Sequence, residues 1–268
     1  EDDLPLTVRA NFGTVLIASM FAAPVEQVGD NPPWVRHDAA KGLSLVGVAD
    51  TDPEDFSAGW IPRVIETLES YHEVLAAWPD VKERLRIVLP DLQGPLDNLE
   101  LIRGSDLFLQ LITEPEAVDR ALATMARAQI HLARHLSKWI TDGPSGYCHQ
   151  HAVRQKGHVL LRNDSCIMVS AQMYRRQIAA HDERVLRELD GGGVHCCGDF
   201  GHLVNEFLAL PSIRSLDFGQ SEMNEMDAIY ALAAKKKIAL IRVAVSEHDL
   251  ASGKAARRFP TGVVFIRR

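Results

Sequence analysis

Short apolar runs recur along the chain and alternate with longer stretches in which apolar positions return every three or four residues, the pattern of strands alternating with amphipathic helices. "RLRIVLPDLQGP" reads as a buried strand ending in a polar loop. "LITEPEAVDRALATMARAQIHLARHLSKWI" reads as one long helix, with Thr113 and Glu116 forming a capping box and Gly143-Pro144 closing it. "GHVLLRNDS" is a strand, and Ser170 caps the helix "AQMYRRQIAAHDERVLREL". "GGVHCC", "IRSLDFGQ", "IALIRVAV" and "TGVVFI" are further strands, with "HLVNEFLAL" and "NEMDAIYALAAKKK" as helices between them. With "PLTVRA" and "GYCHQHA" the count is about eight strands. Such alternation predicts βα units rather than a sandwich, and the length suits a single (β/α)₈ barrel over residues 1–268.

Polar residues gather just past the apolar core of each strand: Asp91 and Gln93, Asp164, His195 and Cys197, Asp217, Gln220 and Glu222. In a parallel α/β barrel the C-terminal strand ends converge on one face, so these positions would meet there.

The segment "ELDGGGVHCCGDFGH" holds the sharpest chemistry. Side chains two apart on a strand share a face, so His195 and Cys197 point together while Cys196 points away. Imidazole and thiolate both suit zinc, and Gly198 lets the backbone turn at once, leaving an open position. Catalytic zinc takes three protein groups, so a third ligand must come from elsewhere: Glu222 first, with Cys148, His149, His151 and Cys166 behind it. Against this stands a plainer reading, in which the cysteines are small buried hydrophobes and His195 bonds a neighbouring carbonyl.

Composition narrows the partners. A net charge of -7 with scattered basic residues offers no phosphate-backbone footprint, which argues against nucleic acid. No apolar stretch is long enough to span a bilayer, so no membrane partner is expected. Four cysteines in 268 residues, two of them adjacent, make no disulfide framework, which favours reduced thiols and a cytoplasmic setting. The start at Glu1 and the strand-like end "GVVFIRR" read as a piece of a longer chain.

Three segments, "PDLQGPLDNLELIRGSDLFLQLITEPEAVDRAL", "LRNDSCIMVSAQMY" and "VHCCGDFGHLVNEFLALPSIRSLDFGQ", resemble the uroporphyrinogen decarboxylase superfamily. The resemblance implies a (β/α)₈ TIM barrel, here lacking its first strand and helix and its C-terminal end. That superfamily includes haem-pathway decarboxylases and zinc-dependent methyltransferases that move a methyl group between a corrinoid and a thiol. His195, Cys197 and Gly198 match the His-x-Cys-Gly of the methyltransferase branch, but the further cysteine of that branch has no counterpart after Cys197.

The resemblance thus implies zinc-dependent methyl transfer from a methylcobalamin-type corrinoid to a small-molecule thiol, with a corrinoid protein as partner. The alternatives are a metal-free decarboxylase of the porphyrin pathway, and a barrel without activity that serves a corrinoid protein. Zinc would be held by His195, Cys197 and Glu222. Asp91 and Asp164 are the candidate catalytic carboxylates, Asp164 acting as a general acid or through Arg162. Gln93, His149, His151, Arg162, Tyr174 and Gln220 are the candidate substrate contacts, with Tyr174 leaning over the pocket.

Overall fold

The computed structural model describes residues 5–36, 43–142 and 146–267. Gly143-Pro144 therefore lies outside the described residues. The strands in chain order are β1 (Thr7–Val8), β2 (Val25–Glu26), β3 (Trp34–Val35), β4 (Arg86–Ile87), β5 (Tyr147–Cys148), β6 (Gln155–Lys156), β7 (Val159–Arg162), β8 (Gly192–Cys196), β9 (Ile213–Phe218), β10 (Ala239–Val245) and β11 (Val263–Arg267).

The architecture is mixed α/β. Five parallel strands pair in the order β11-β10-β9-β8-β7, and β1 pairs separately and in parallel with β4. All four residues of β7 and all five of β8 are buried, as expected of parallel strands covered on both faces. The helices Pro115–Leu136 and Ala179–Glu188 pack against each other on the outside, burying Val118, Leu122, Met125 and Val185, Leu186 at helical spacing.

The expected closed barrel is not found: among the described residues no ladder joins the β1-β4 pair to the five-stranded sheet. After Ile87 the chain runs through Pro90, which has no N–H to give a ladder, and Gln93, whose φ of 53° is left-handed. A single backbone bond, Gly94 N–H to Arg162 O at 2.8 Å, bridges to β7. "GYCHQHA" is likewise not a sheet strand: β5 and β6 form an antiparallel hairpin, and β6 packs on β8 and β9. Gly193 leaves room for this, since a Cβ there would stand 3.0 Å from Gln155 Oε1.

The long helix runs from Pro115 to Leu136; residues 111–113 of the expected stretch instead close a preceding helix, Asp106–Thr113, because Pro115 cannot continue that helix and sits at the start of the next. No capping box forms: Thr113 Oγ1 bonds back to Leu109 O at 3.2 Å. Ser170 does cap its helix, accepting from Met173 N–H at 3.2 Å.

Behind the sheet lies a buried polar layer. Asp182 Oδ2 accepts from Asn163 Nδ2 at 2.6 Å and from the Tyr174 hydroxyl at 2.7 Å. Tyr174 is fully buried against Phe207, so it does not lean over the strand ends. The helix passes through a π turn at Tyr174–Ile178, which sets this residue inward.

Burial pushes Asp182 up to about 7 against the donors Tyr174 and Asn163, and burial also holds Asp97 well above the carboxylate range. The folded state thus keeps protons that the unfolded chain releases near pH 4, so stability falls as pH rises from about 4 to about 7. Each such proton contributes a slope of at most about 1.4 kcal/mol per pH unit. Asp182→Asn is expected to flatten this slope in urea titrations between pH 4.5 and 8, and an unchanged slope would show that Asp182 does not carry the proton.

Candidate metal centre

Five polar residues from four strands meet on one face. His195 is the last residue but one of β8, Cys197 follows that strand, Asp217 lies on β9, Arg162 closes β7 and Arg242 lies in β10. Pairing in register sets His195 between Arg162 and Asp217.

Asp217 is fully buried, and its Oδ1 accepts from His195 Nδ1 at 2.7 Å. His151 Nδ1 lies 3.2 Å from both carboxylate oxygens, and Arg242 approaches Oδ1 through Nε at 3.1 Å and Nη2 at 2.9 Å. Burial alone would raise this acid, but the hydrogen bonds and charges of His151 and His195 hold it well below the usual carboxylate range. An ionised Asp217 takes the Nδ1–H of His195, which leaves the Nε2 lone pair free.

That lone pair faces two further donors. Cys197 Sγ lies 3.4 Å from Nε2 and Asp164 Oδ1 lies 3.6 Å from it. Asp164 is fixed there because the same oxygen accepts from Cys197 N–H at 2.7 Å. The three donor atoms all lie within 4.8 Å of one another, and a second such group, His151, His195 and Asp217, shares the same histidine. Alternation along β8 predicts the pairing of His195 with Cys197, and Cys196 accordingly points outward, its thiol bonding Asn163 O at 3.3 Å.

Glycines make the space. Gly198 turns with φ 74°, and a Cβ on Gly219 would stand 2.6 Å from Cys197 Sγ. Gln220 Oε1 accepts from Gly198 N–H at 2.6 Å and Asn224 Nδ2 donates to Gly198 O at 2.9 Å, so both pin the loop that carries Cys197. Gln220 thus shapes the site by holding its backbone.

Other expected contacts fall elsewhere. Glu222 is exposed in the turn after β9 and belongs to neither donor group; Asp164 stands where a third ligand was sought. Cys166 and Cys148 are buried away from His195, one behind the sheet and one in the β5–β6 hairpin. His149 pairs with Asp142, while only His151 reaches the site, because residues 149–151 form a tight turn rather than an extended strand.

Asp164 does not partner Arg162. The Arg162 guanidinium is spoken for by Asp91 Oδ2 at 2.8 Å, Gln150 Oε1 at 3.2 Å and His151 Nε2. Asp91 in turn accepts from Gln93 N–H at 3.1 Å and Gln93 Nε2 at 2.8 Å, while Gln129 Nε2 holds Gln93 O at 2.5 Å. These groups form a buried brace beside the site. Half-buried Arg9, just past β1, stands close enough to feel Arg162 and Asp91, and burial and then Arg162 lower its pKa.

A cavity of about 250 Å³ lined by Arg134, His158, Glu188 and Asp190 lies toward the opposite ends of β7 and β8 and shares no residue with this group. Arg242 was not singled out from the sequence, and Asp217 was named there as a polar strand end but given no role in the site. Asp217 sits on a strand-end pattern that could have found it, whereas Arg242 is mid-strand in "IALIRVAV" and gives no such signal.

Asp217→Asn is expected to cost about 3 kcal/mol, since it leaves a part-buried guanidinium and two imidazoles without their anion. It should also abolish the Nδ1–H preference of His195 in long-range proton–nitrogen spectra; retention of that tautomer would contradict the assigned role of Asp217. No known family model matches this chain, and no curated protein matches it.

Proposed function

We propose that this chain is an enzyme of the uroporphyrinogen decarboxylase type, on a (β/α)₈-like frame, that transfers a methyl group from a corrinoid to a small thiol. Zinc would be held by His195, Cys197 and Asp164. The observation that carries this reading is the convergence of their three donor atoms within 4.8 Å, with the histidine tautomer set by Asp217.

The donor set fits zinc in chemistry as well as number: one imidazole nitrogen, one thiol sulfur and one carboxylate oxygen. When bound, zinc supplies Lewis acidity that holds a substrate thiol as its thiolate near neutral pH. The chain's own residues do the rest. Asp217 keeps the His195 proton on Nδ1. The proton that the thiol loses leaves to solvent, which reaches the site past the 40% exposed Asp164 side chain. The thiol sulfur gains the methyl, and the electron pair of the broken methyl bond stays with the donor.

The corrinoid and the protein that carries it rest on the resemblance of the His-x-Cys-Gly stretch. An apolar rim supports them: Ile167, Met168 and Met223 are exposed on the turns flanking Cys197, a surface that a planar macrocycle could rest on.

A metal-free reading has one observation in its favour, the line Cys197, His195, Asp217, which has the form of a nucleophile, a base and an orienting acid. The electrostatics oppose it. Burial and the neighbouring Asp164 push the Cys197 thiol up to about 11, so at pH 7 only about one part in ten thousand would be thiolate. The charge of Arg242 pulls the thiol down by less than burial and Asp164 push it up, and a divalent cation would add positive charge at the sulfur itself.

Protein incubated with zinc and desalted is expected to retain about one zinc per chain by elemental analysis. Cys197→Ser and Asp164→Asn should lose it, and Glu222→Gln should keep it. Uptake at pH 7.5 should release a proton, because the Cys197 thiol becomes a ligand thiolate; calorimetry in buffers of different ionisation enthalpy measures this. Zinc retained by Cys197→Ser, or uptake without proton release, would contradict the assignment.

A further inference from the structure

The backbone of β10 breaks its ladder at one residue. Arg242 has φ 64°, a left-handed conformation that a side-chain-bearing residue seldom adopts within a strand, and the register with β11 shifts between Ile241 and Val243. Arg242 is thus the extra residue of a bulge, a device that re-aims a side chain at the cost of local strain. The side chain it re-aims lands on the site. Nε and Nη2 meet Asp217 Oδ1, and Nη2 lies 3.3 Å from His195 Nδ1.

Pairing with Asp217 does not use the whole guanidinium. Among the described residues Nη1 has no protein partner, and the side chain remains 24% exposed. Arg162 offers the contrast: its side chain is 7% exposed, and each of its three nitrogens already has a protein partner. One guanidinium edge is therefore left accessible to solvent beside His195, with Asp217 fixing its direction from behind. A planar fork of N–H donors matches the two oxygens of a carboxylate.

We propose that Arg242 binds a carboxylate on the substrate and so sets specificity for an acidic thiol, an inference that rests on the proposed function for the thiol but not for the anion. The bulge holds the guanidinium one imidazole ring away from the Cys197 and Asp164 donors, so one small molecule can reach both. The carboxylate fixes one end of the substrate, and the sulfur falls at the metal-binding donors.

Titration calorimetry at low ionic strength with propionate and its neutral isostere propionamide tests the anion site without requiring zinc. Wild-type protein is expected to bind propionate at least about tenfold tighter than propionamide. Arg242→Gln should bring the two level, and Arg242→Lys, which keeps the charge but loses the planar fork, should retain part of the preference. On zinc-loaded protein, 3-mercaptopropionate should outbind 2-mercaptoethanol by a similar factor, and Arg242→Gln, compared at equal zinc content, should erase the difference. Equal binding of propionate and propionamide by wild type overturns the proposal, as does a preference lost in Arg9→Gln but kept in Arg242→Gln. Zinc content is read separately, so a protein that selects propionate yet binds no zinc would refute the metal reading and leave the carboxylate site standing.

Discussion

The Asp217 carboxylate governs the site. A fully buried anion costs several kcal/mol unless its neighbours compensate it, and here two imidazoles and a guanidinium from three separate segments do so. Each of those partners is oriented as a consequence. His195 presents Nε2 toward Cys197 and Asp164, His151 presents Nε2 toward Arg162, and Arg242 is held with one edge outward. Substrate chemistry at this face would inherit its geometry from that one charge.

Three of the seven left-handed non-glycine residues among the described residues bear on the site or the brace beside it. Gln93, His151 and Arg242 all have φ near +55° to +65°, and none is a glycine. Each places a polar group against the brace or the site: Gln93 on Asp91, His151 on Asp217 and Arg242 on Asp217. Three such conformations cost of order 1–3 kcal/mol each, and they persist because buried ion pairs and hydrogen bonds over-determine them. The hairpin of β5 and β6, lying on β8 and β9 over Gly193, is what carries His151 into place.

Much of the local structure was legible in the sequence. Periodicity placed β7 through β11 and the helices between β7 and β10, though not the two short helices Glu247–Ala251 and Lys254–Arg258 before β11, and alternation within "GGVHCC" separated Cys197 from Cys196. Features fixed by distant contacts were not. The long helix starts at Pro115, and residues 111–113 close the helix before it, although the apolar period runs on through both. The third donor, Asp164, is reached through a backbone bond to Cys197, which no spacing rule encodes, and Glu222 fails because its turn carries it to the surface. Arg242 looked like one charge inside an apolar strand, since a bulge depends on the register of its neighbour and not on its own residue type. Tyr174 was misplaced because a π turn, invisible to a period of 3.6, rotates it toward Asp182.

The central claim is that one thiolate, one imidazole and one carboxylate of this chain bind a single zinc ion. X-ray absorption at the zinc edge of the loaded protein tests it most directly. The predicted spectrum contains one sulfur scatterer at about 2.3 Å and the remainder nitrogen or oxygen at about 2.0–2.2 Å. A first shell without sulfur, or one with two sulfurs from the protein alone, would contradict it.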